Sequence, residues 1–363
     1  MSSETGRRDR RRAAYAGIAG LALVVAVGVG IAKASDDEGS DSSVDPVAAP
    51  PSGPVDVEAL SQGAPPELPL WYEGSLHVGD RTYDLRRPLR IEAAGSTSVI
   101  ETLTKAESQL QLLTTSGLTT LPTAGRAVSW ALSAPGDLVV WVDRLSGTRR
   151  ELVAWDVNAG EVLARRRVDV EVICCDATGE LFVSGIDAAG NVFGVTDHGF
   201  VWNPASGAPT RLAKVSYVDQ VIASGPVLQS GEFSTGFPGE AMRWRDGALE
   251  QIGPLSYALA PVTPDGRLAA YASDRYGVSQ AKGDPTAVAV ETVGVGKPEL
   301  FEFSRDFLLR PIGWEPDGAV LVAVSSVTGS GPADAWIVRC QVEAHQCEIA
   351  LDLRGHGFWS GPE

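Results

Sequence analysis

The feature that most constrains this chain is a tight turn that returns at a nearly fixed interval. In Glu151–Arg167, ELVAWDVNAGEVLARRR, an apolar run covers Leu152–Trp155. Asp156, Asn158 and Gly160 then supply turn chemistry, and Val162 and Leu163 begin a second apolar run. β-Branched and aromatic arms around a glycine that accepts positive φ make a β-hairpin. Corners of the same kind fall at Gly79, Gly117, Gly160, Gly207, Gly247, Gly296 and Ala344, on average about 44 residues apart. Trp155, Trp202, Trp244 and Trp336 mark several incoming arms. A second series interleaves with the first, at Gly95, Gly136, Gly179, Gly225, Gly266 and Gly318. Two turns per repeat require four short strands per repeat.

That strand count and that period are those of a β-propeller blade. The expected fold is all-β, a propeller over residues 67–363 with seven blades, or six with extra terminal strands. The stretch 105–113, KAESQLQLL, falls where the repeat needs a strand, although taken alone it passes for a helix. The body opens on Trp71–Leu85, a hairpin of the outer-strand kind with no inner strand before it. It ends on Gly355–Pro362, where Trp359 follows Trp314 by about one repeat. The C-terminal strand is therefore expected to complete the N-terminal blade, which closes the ring and hides its free edges.

Two corners carry a family resemblance. Thr263–Pro264–Asp265–Gly266–Arg267–Leu268–Ala269–Ala270–Tyr271 resembles the strand–turn–strand signature of TolB-like and WD40-like propellers, and Trp314–Glu315–Pro316–Asp317–Gly318–Ala319–Val320 is similar. Proline fixes φ while Asp and Gly complete the turn. Trp155–Asp156 resembles the WD dipeptide, and Ala154, Asp156, Ala159 and Gly160 are similar in spacing to the quinoprotein propeller repeat, although Ala164 stands where that repeat has Trp. The resemblance implies a fold and says little about activity.

Ahead of the body, Ala13–Ala32 is an uncharged run of 20 residues, AAYAGIAGLALVVAVGVGIA. As a helix it spans about 30 Å, the thickness of a bilayer core. Five arginines precede it and Asp36, Asp37, Glu38, Asp41 and Asp45 follow it. This bias places residues 1–12 in the cytoplasm, makes 13–34 a single-pass signal anchor in the plasma membrane, and puts the rest outside. The alternative is a signal peptide cleaved after Ala34 and a secreted body, since Ala32–Lys33–Ala34 has the form of a cleavage site. Residues 35–66, rich in Asp, Ser, Pro and Gly, read as a disordered acidic tether with a reach of about 30 Å. Few lysines and abundant Ala, Gly and Val suggest a high-GC bacterium.

The chain carries 30 basic and 46 acidic residues, a net charge of −16, and the basic N-terminus leaves the remainder more acidic still. Such a body repels phosphate backbones, so nucleic acid is not an expected partner.

Of four cysteines, Cys340 and Cys347 sit on opposite arms of the last outer hairpin, and in an oxidising compartment they are expected to form a structural disulfide. Cys174 and Cys175 are adjacent and are expected on an inner strand, either as buried thiols or as a strained vicinal pair. Quinoprotein propellers place such a pair against their cofactor, yet the sequence gives no sustained cofactor signature and none is expected. His77, His198, His345 and His356 show no metal-ligand spacing and are expected near surface corners. Trp130, Trp314 and Trp359 are expected between blades or at the closure, or as a platform at the channel mouth. Nucleophile-elbow, zinc-protease, phosphate-loop and dithiol motifs are absent from the sequence. The expected function is thus a non-catalytic binding or scaffold module of the cell envelope, with a protein or envelope component as partner. The alternative is an enzyme whose site forms at the channel mouth from several blades, as a lyase, glycosidase or quinoprotein-like protein.

Overall fold

The computed structural model describes residues 53–354, apart from 87, 105–106, 125–126, 146–147, 171, 174–176, 179–180, 197, 213–214, 216, 230–237, 274–286, 305–306 and 327–333. It is a seven-bladed propeller. Blade one holds β1–β3 (Leu70–Tyr72, Ser75–Val78, Arg81–Tyr83) and blade two β4–β7 (Pro88–Ala94, Thr97–Thr104, Glu107–Thr114, Gly117–Thr120). Blade three holds β8–β11 (Ala127–Leu132, Leu138–Arg144, Arg149–Asp156, Glu161–Asp169), and a short ribbon, β12–β13 (Val172–Ile173, Ala177–Thr178), follows it. Blade four holds β14–β17 (Phe182–Ile186, Val192–Val195, Gly199–Trp202, Thr210–Arg211) and blade five β18–β21 (Gln220–Ile222, Gly225–Gln229, Gly239–Arg245, Ala248–Leu255). Blade six holds β22–β24 (Leu268–Ser273, Ala287–Thr292, Pro298–Glu302) and blade seven β25–β28 (Phe307–Trp314, Ala319–Ser326, Ala335–Gln341, Gln346–Asp352). Every pairing within a blade is antiparallel between neighbours in sequence.

Burial follows strand position. The second strand of blade three, β9, is buried on both faces from Leu138 through Asp143, because its sheet is covered by a neighbour on each side. The outermost strand, β11, alternates exposed and half-buried residues until it reaches its arginines. Among the described residues the core divides into seven apolar clusters, each lying between two consecutive blades. Leu76 meets Ile91 and Ile100 between blades one and two, and Leu152 meets Val183 and Phe200 between three and four. The seventh cluster joins Leu68 and Leu70 at the start of blade one to Ile312, Leu321 and Ile337 of blade seven. The ring is therefore closed by side-chain packing.

Most corners stand where the sequence puts them, and 107–114 is a strand. Three differences have physical reasons. In blade four the inner corner is at Asp187–Gly190, not at Gly179. The Asp187 carboxylate accepts from the Ala189 and Asn191 amides at 2.9 Å, so it forms its own turn and makes β14 the inner strand. Val172–Ile173 consequently belongs to the ribbon outside the blade rather than to an inner strand. In blade six the inner strand shrinks to a lone bridge between Val262 and Ala269, since Pro261 and Pro264 have no amide to donate. In blade one a strand, β1, precedes the outer hairpin, so that sheet shows three of the four strand positions.

The tether expected over 35–66 is described from Gly53, and from there it is a packed strap. Val55 pairs in parallel with Phe303 beside the outer strand of blade six, and its amide donates to Glu302. Val57, within a single helical turn, is fully buried between blades six and seven. Gln62 pairs in parallel with Ile349 on the outer strand of blade seven. A side chain at Gly63 would meet the Glu348 carboxylate, which would have to turn aside from its place at that crossing. Arg339 then holds the next turn. Its guanidinium donates to the Ala64 and Pro65 carbonyls at 3.0 and 3.2 Å, to Glu348 at 2.7 Å, and to both oxygens of buried Glu315. The Glu67 amide donates to Glu315 at 2.8 Å. The residues expected in the membrane, 13–34, lie outside the described ones. Among the described residues no helix is long and apolar enough to cross a membrane.

Two outcomes follow. Arg339→Met strands the Glu315 carboxylate in the interior and is expected to cost about 3–5 kcal/mol in denaturant unfolding, whereas Arg339→Met with Glu315→Leu recovers most of the loss. A chain ended before Phe358 loses the segment assigned to the inner edge of blade one. Its Tm is expected to fall by at least about 5 °C in a thermal melt; an unchanged melt counts against completion of that blade by the C-terminus.

Candidate functional site

From blade two to blade seven, polar side chains on or near the inner strands join each blade to the next. Arg90 on β4 donates to the Trp130 carbonyl on β8 at 2.8 Å, and its guanidinium lies 4.0 Å over the Trp130 ring. Ser129 on β8 accepts from the Val183 amide at 2.8 Å, and Ser184 on β14 donates to the Val218 carbonyl at 3.0 Å. Gln220 on β18 donates to the Ala260 carbonyl at 3.1 Å. Trp314 at the end of β25 donates its indole N–H to the Pro261 carbonyl at 2.9 Å. Blades two to seven are thus stitched in sequence at the positions from which a channel-mouth site would be built. Trp130 and Trp314, both buried, serve between blades. Trp359 lies outside the described residues.

Glu92 pairs with Arg90 at 2.8 Å while burial pushes its pKa up, and Asp187 caps its own turn. Buried Asp143 accepts from the Ala124 amide at 3.1 Å, while its Oδ2 has no hydrogen-bond partner among the described residues and burial pushes its pKa up. Asp219, just before β18, is a second such carboxylate. Burial raises its pKa to about 6, and its Oδ2 has no hydrogen-bond partner among the described residues. Among those residues no group of three or more His, Cys, Asp and Glu side chains is placed to hold a metal ion.

Cys340 and Cys347 face each other on β27 and β28, with Cα atoms 4.1 Å apart, and are joined as a disulfide. Cys174 and Cys175 lie outside the described residues. His77 stacks on Tyr72 with ring centres 3.8 Å apart, on β2 and two residues before the Gly79 corner. His345, at the last corner, stacks on Phe301 of blade six at 4.5 Å and contacts Glu299 at 2.9 Å. His198 is half-buried in the turn between β15 and β16, and His356 lies outside the described residues.

Two clefts open on opposite ends of the ring. In an antiparallel blade the first and third turns share one end and the second turn takes the other. A cleft of about 240 Å³ lies at the corner end, between blades one and two, and includes Arg81, Tyr83, Ser96 and Thr115. A larger cleft of about 460 Å³ lies at the other end, between blades three and four. Its wall from blade three is β11. Register sets Arg166 opposite Leu152, and Arg165 and Arg167 on the other face, where both pair with Glu151 at 2.8 and 3.5 Å. Its wall from blade four carries Arg211, opposite Phe200, with His198 at the mouth. Sequence reading does not find this cleft, because Arg166 and Arg211 are far apart in the chain; the run Arg165–Arg166–Arg167 on a predicted outer strand is the one signal available.

No family model matches the chain, and no curated protein matches it in sequence. Solved structures with a similar fold include TolB from Acinetobacter baumannii, at 13% identity over 62% of this chain and 61% of that one, with a TM-score of 0.38. The β-propeller domain of the Trilobed protease from Pyrococcus furiosus is similar at 10% identity over 74% of this chain and 82% of that one, with a TM-score of 0.44. Pyrococcus horikoshii acylaminoacyl peptidase is similar at 10% identity over 70% of this chain, which spans only 43% of the peptidase, with a TM-score of 0.42. These likenesses concern the fold alone.

Asp219 gives a pH test. An unfolded Asp titrates near 4, so the folded state holds a proton that the unfolded state has lost between about pH 4 and 6. The contribution of this carboxyl is favourable below that window and is lost as pH rises through it. Asp219→Asn is therefore expected to gain on wild type between pH 4.5 and 7.5 in urea unfolding. A stability difference that stays constant with pH would refute the assignment. At fold level the chain is a seven-bladed β-propeller, with Pro-Asp-Gly at the corners of Gly266 and Gly318.

Proposed function

We propose that the protein is a bacterial, membrane-anchored, extracytoplasmic propeller that acts as a non-catalytic binding or scaffold module. The observation that carries this reading is the use of the inner-strand polar groups. Arg90, Ser129, Ser184, Gln220 and Trp314 bond blade to blade, so the ring's central chemistry serves its rigidity. Clefts at the two ends of the ring offer the surface on which such a frame presents recognition groups. The anchor and orientation rest on the sequence: the arginine flank, the apolar run of 20 residues and the acidic residues after it. A protein or envelope component is the partner class.

Protease added outside spheroplasts is expected to digest the body and leave a small membrane-held N-terminal fragment. A body protected until permeabilisation overturns the orientation, and mature protein beginning at Ser35 replaces the anchor with cleavage. For the function, crosslinking in the native membrane is expected to capture one recurrent partner, lost when charges on a single end of the ring are reversed. Turnover of a small molecule, abolished by substitutions on the inner strands, would replace the binding reading with an enzymatic one.

A further inference from the structure

The cleft between blades three and four runs against the electrostatics of the chain. The body is strongly acidic, yet among the described residues three arginines line this cleft against one carboxylate, Asp169. Arg167 is turned toward Glu151. Arg166 and Arg211 are exposed and have no carboxylate within ion-pair distance among the described residues. They stand on opposite walls, one from each blade. Between them lie apolar side chains, with Leu152, Val170 and Phe200 among them. Two unpaired guanidinium groups over an apolar floor select a ligand that joins negative charge to an apolar group.

Resting on the binding reading above, we propose that this cleft receives an acidic segment of a protein partner, one with an aliphatic or aromatic side chain beside carboxylates. The apolar side chain occupies the floor, and the flanking carboxylates meet Arg166 and Arg211. The wall itself favours a peptide. β11 runs for nine residues and is the outermost strand of its sheet; among the described residues no strand pairs with its outer edge, which offers backbone groups to a strand laid alongside. A whole anionic bilayer surface meets the repulsion of the entire body, whereas a short segment meets chiefly the local field of the cleft.

The test uses the full chain in non-ionic detergent and a labelled peptide alternating Glu with Leu and Phe, read by fluorescence anisotropy. Wild type is expected to bind it with an affinity that falls as salt rises, and not to bind the Lys-for-Glu counterpart. R166E/R211E is expected to weaken binding by at least about tenfold, and the milder R166Q/R211Q to weaken it by less. Arg81→Glu in the opposite cleft should leave it within about twofold. Equal binding by wild type and R166E/R211E overturns the proposal. So does arginine-dependent binding of phosphatidylglycerol vesicles without binding of the peptide. In native membranes, a partner still captured by R166E/R211E removes this cleft as its site and leaves the binding reading standing.

Discussion

A ring of sheets has to join its last blade to its first, and here that junction rests on one buried charge cluster. Arg339 and Glu315 lie inside blade seven, and each reaches outward to the strap that leads into blade one. Two charges brought out of water are stabilising only when nearly every hydrogen-bonding direction is met. The strap's carbonyls at Ala64 and Pro65 and its amide at Glu67 supply those directions. The apolar part of the same junction, Leu68 and Leu70 against Ile312 and Ile337, then packs beside an already fixed chain. Polar and apolar closure are parts of a single arrangement.

The same logic extends around the ring in weaker form. From blade two to blade seven one side-chain hydrogen bond joins each blade to the next near the inner strands, and each pair of consecutive blades shares one apolar cluster. The cluster supplies most of the adhesion, and the polar bond fixes the vertical position of one sheet against its neighbour. A one-residue slip would invert the side chains of a strand. Ser129, Ser184 and Gln220 therefore act as register pins, which accounts for polar residues on strands that otherwise face the core.

Much of this was legible in the sequence. Glycines at positions such as 117, 160, 247 and 318 need positive φ, and a residue type with that requirement marks a corner whatever surrounds it. The corner of blade four was not legible, because Asp187 makes its turn through side-chain bonds and Gly179 looked the better candidate. The strap was hidden by composition. Val55, Val57 and Leu60 are scattered through a tract rich in Pro, Ser and acidic residues, and their burial depends on a groove between blades six and seven formed from residues some 250 positions later. The arginine cleft was hidden for a related reason: net charge describes the chain as a whole and says nothing of how two walls combine locally. Cys340 and Cys347 were readable as neighbours on one hairpin, while the use made of Arg339 beside them was not.

The route of the strap also decides where mechanical load enters the molecule. A pull applied through residues before Gly53 reaches the outer edge of blade six first, at Val55, and then that of blade seven, at Gln62. Each contact is one parallel bridge, and Val57, fully buried between them, has to leave its pocket as the strap is peeled away. Beyond them the force meets Arg339 and then the two strands crosslinked by Cys340 and Cys347, which cannot be peeled apart at that point. The crosslinked hairpin is thus the bracket to which the end of the strap is fastened.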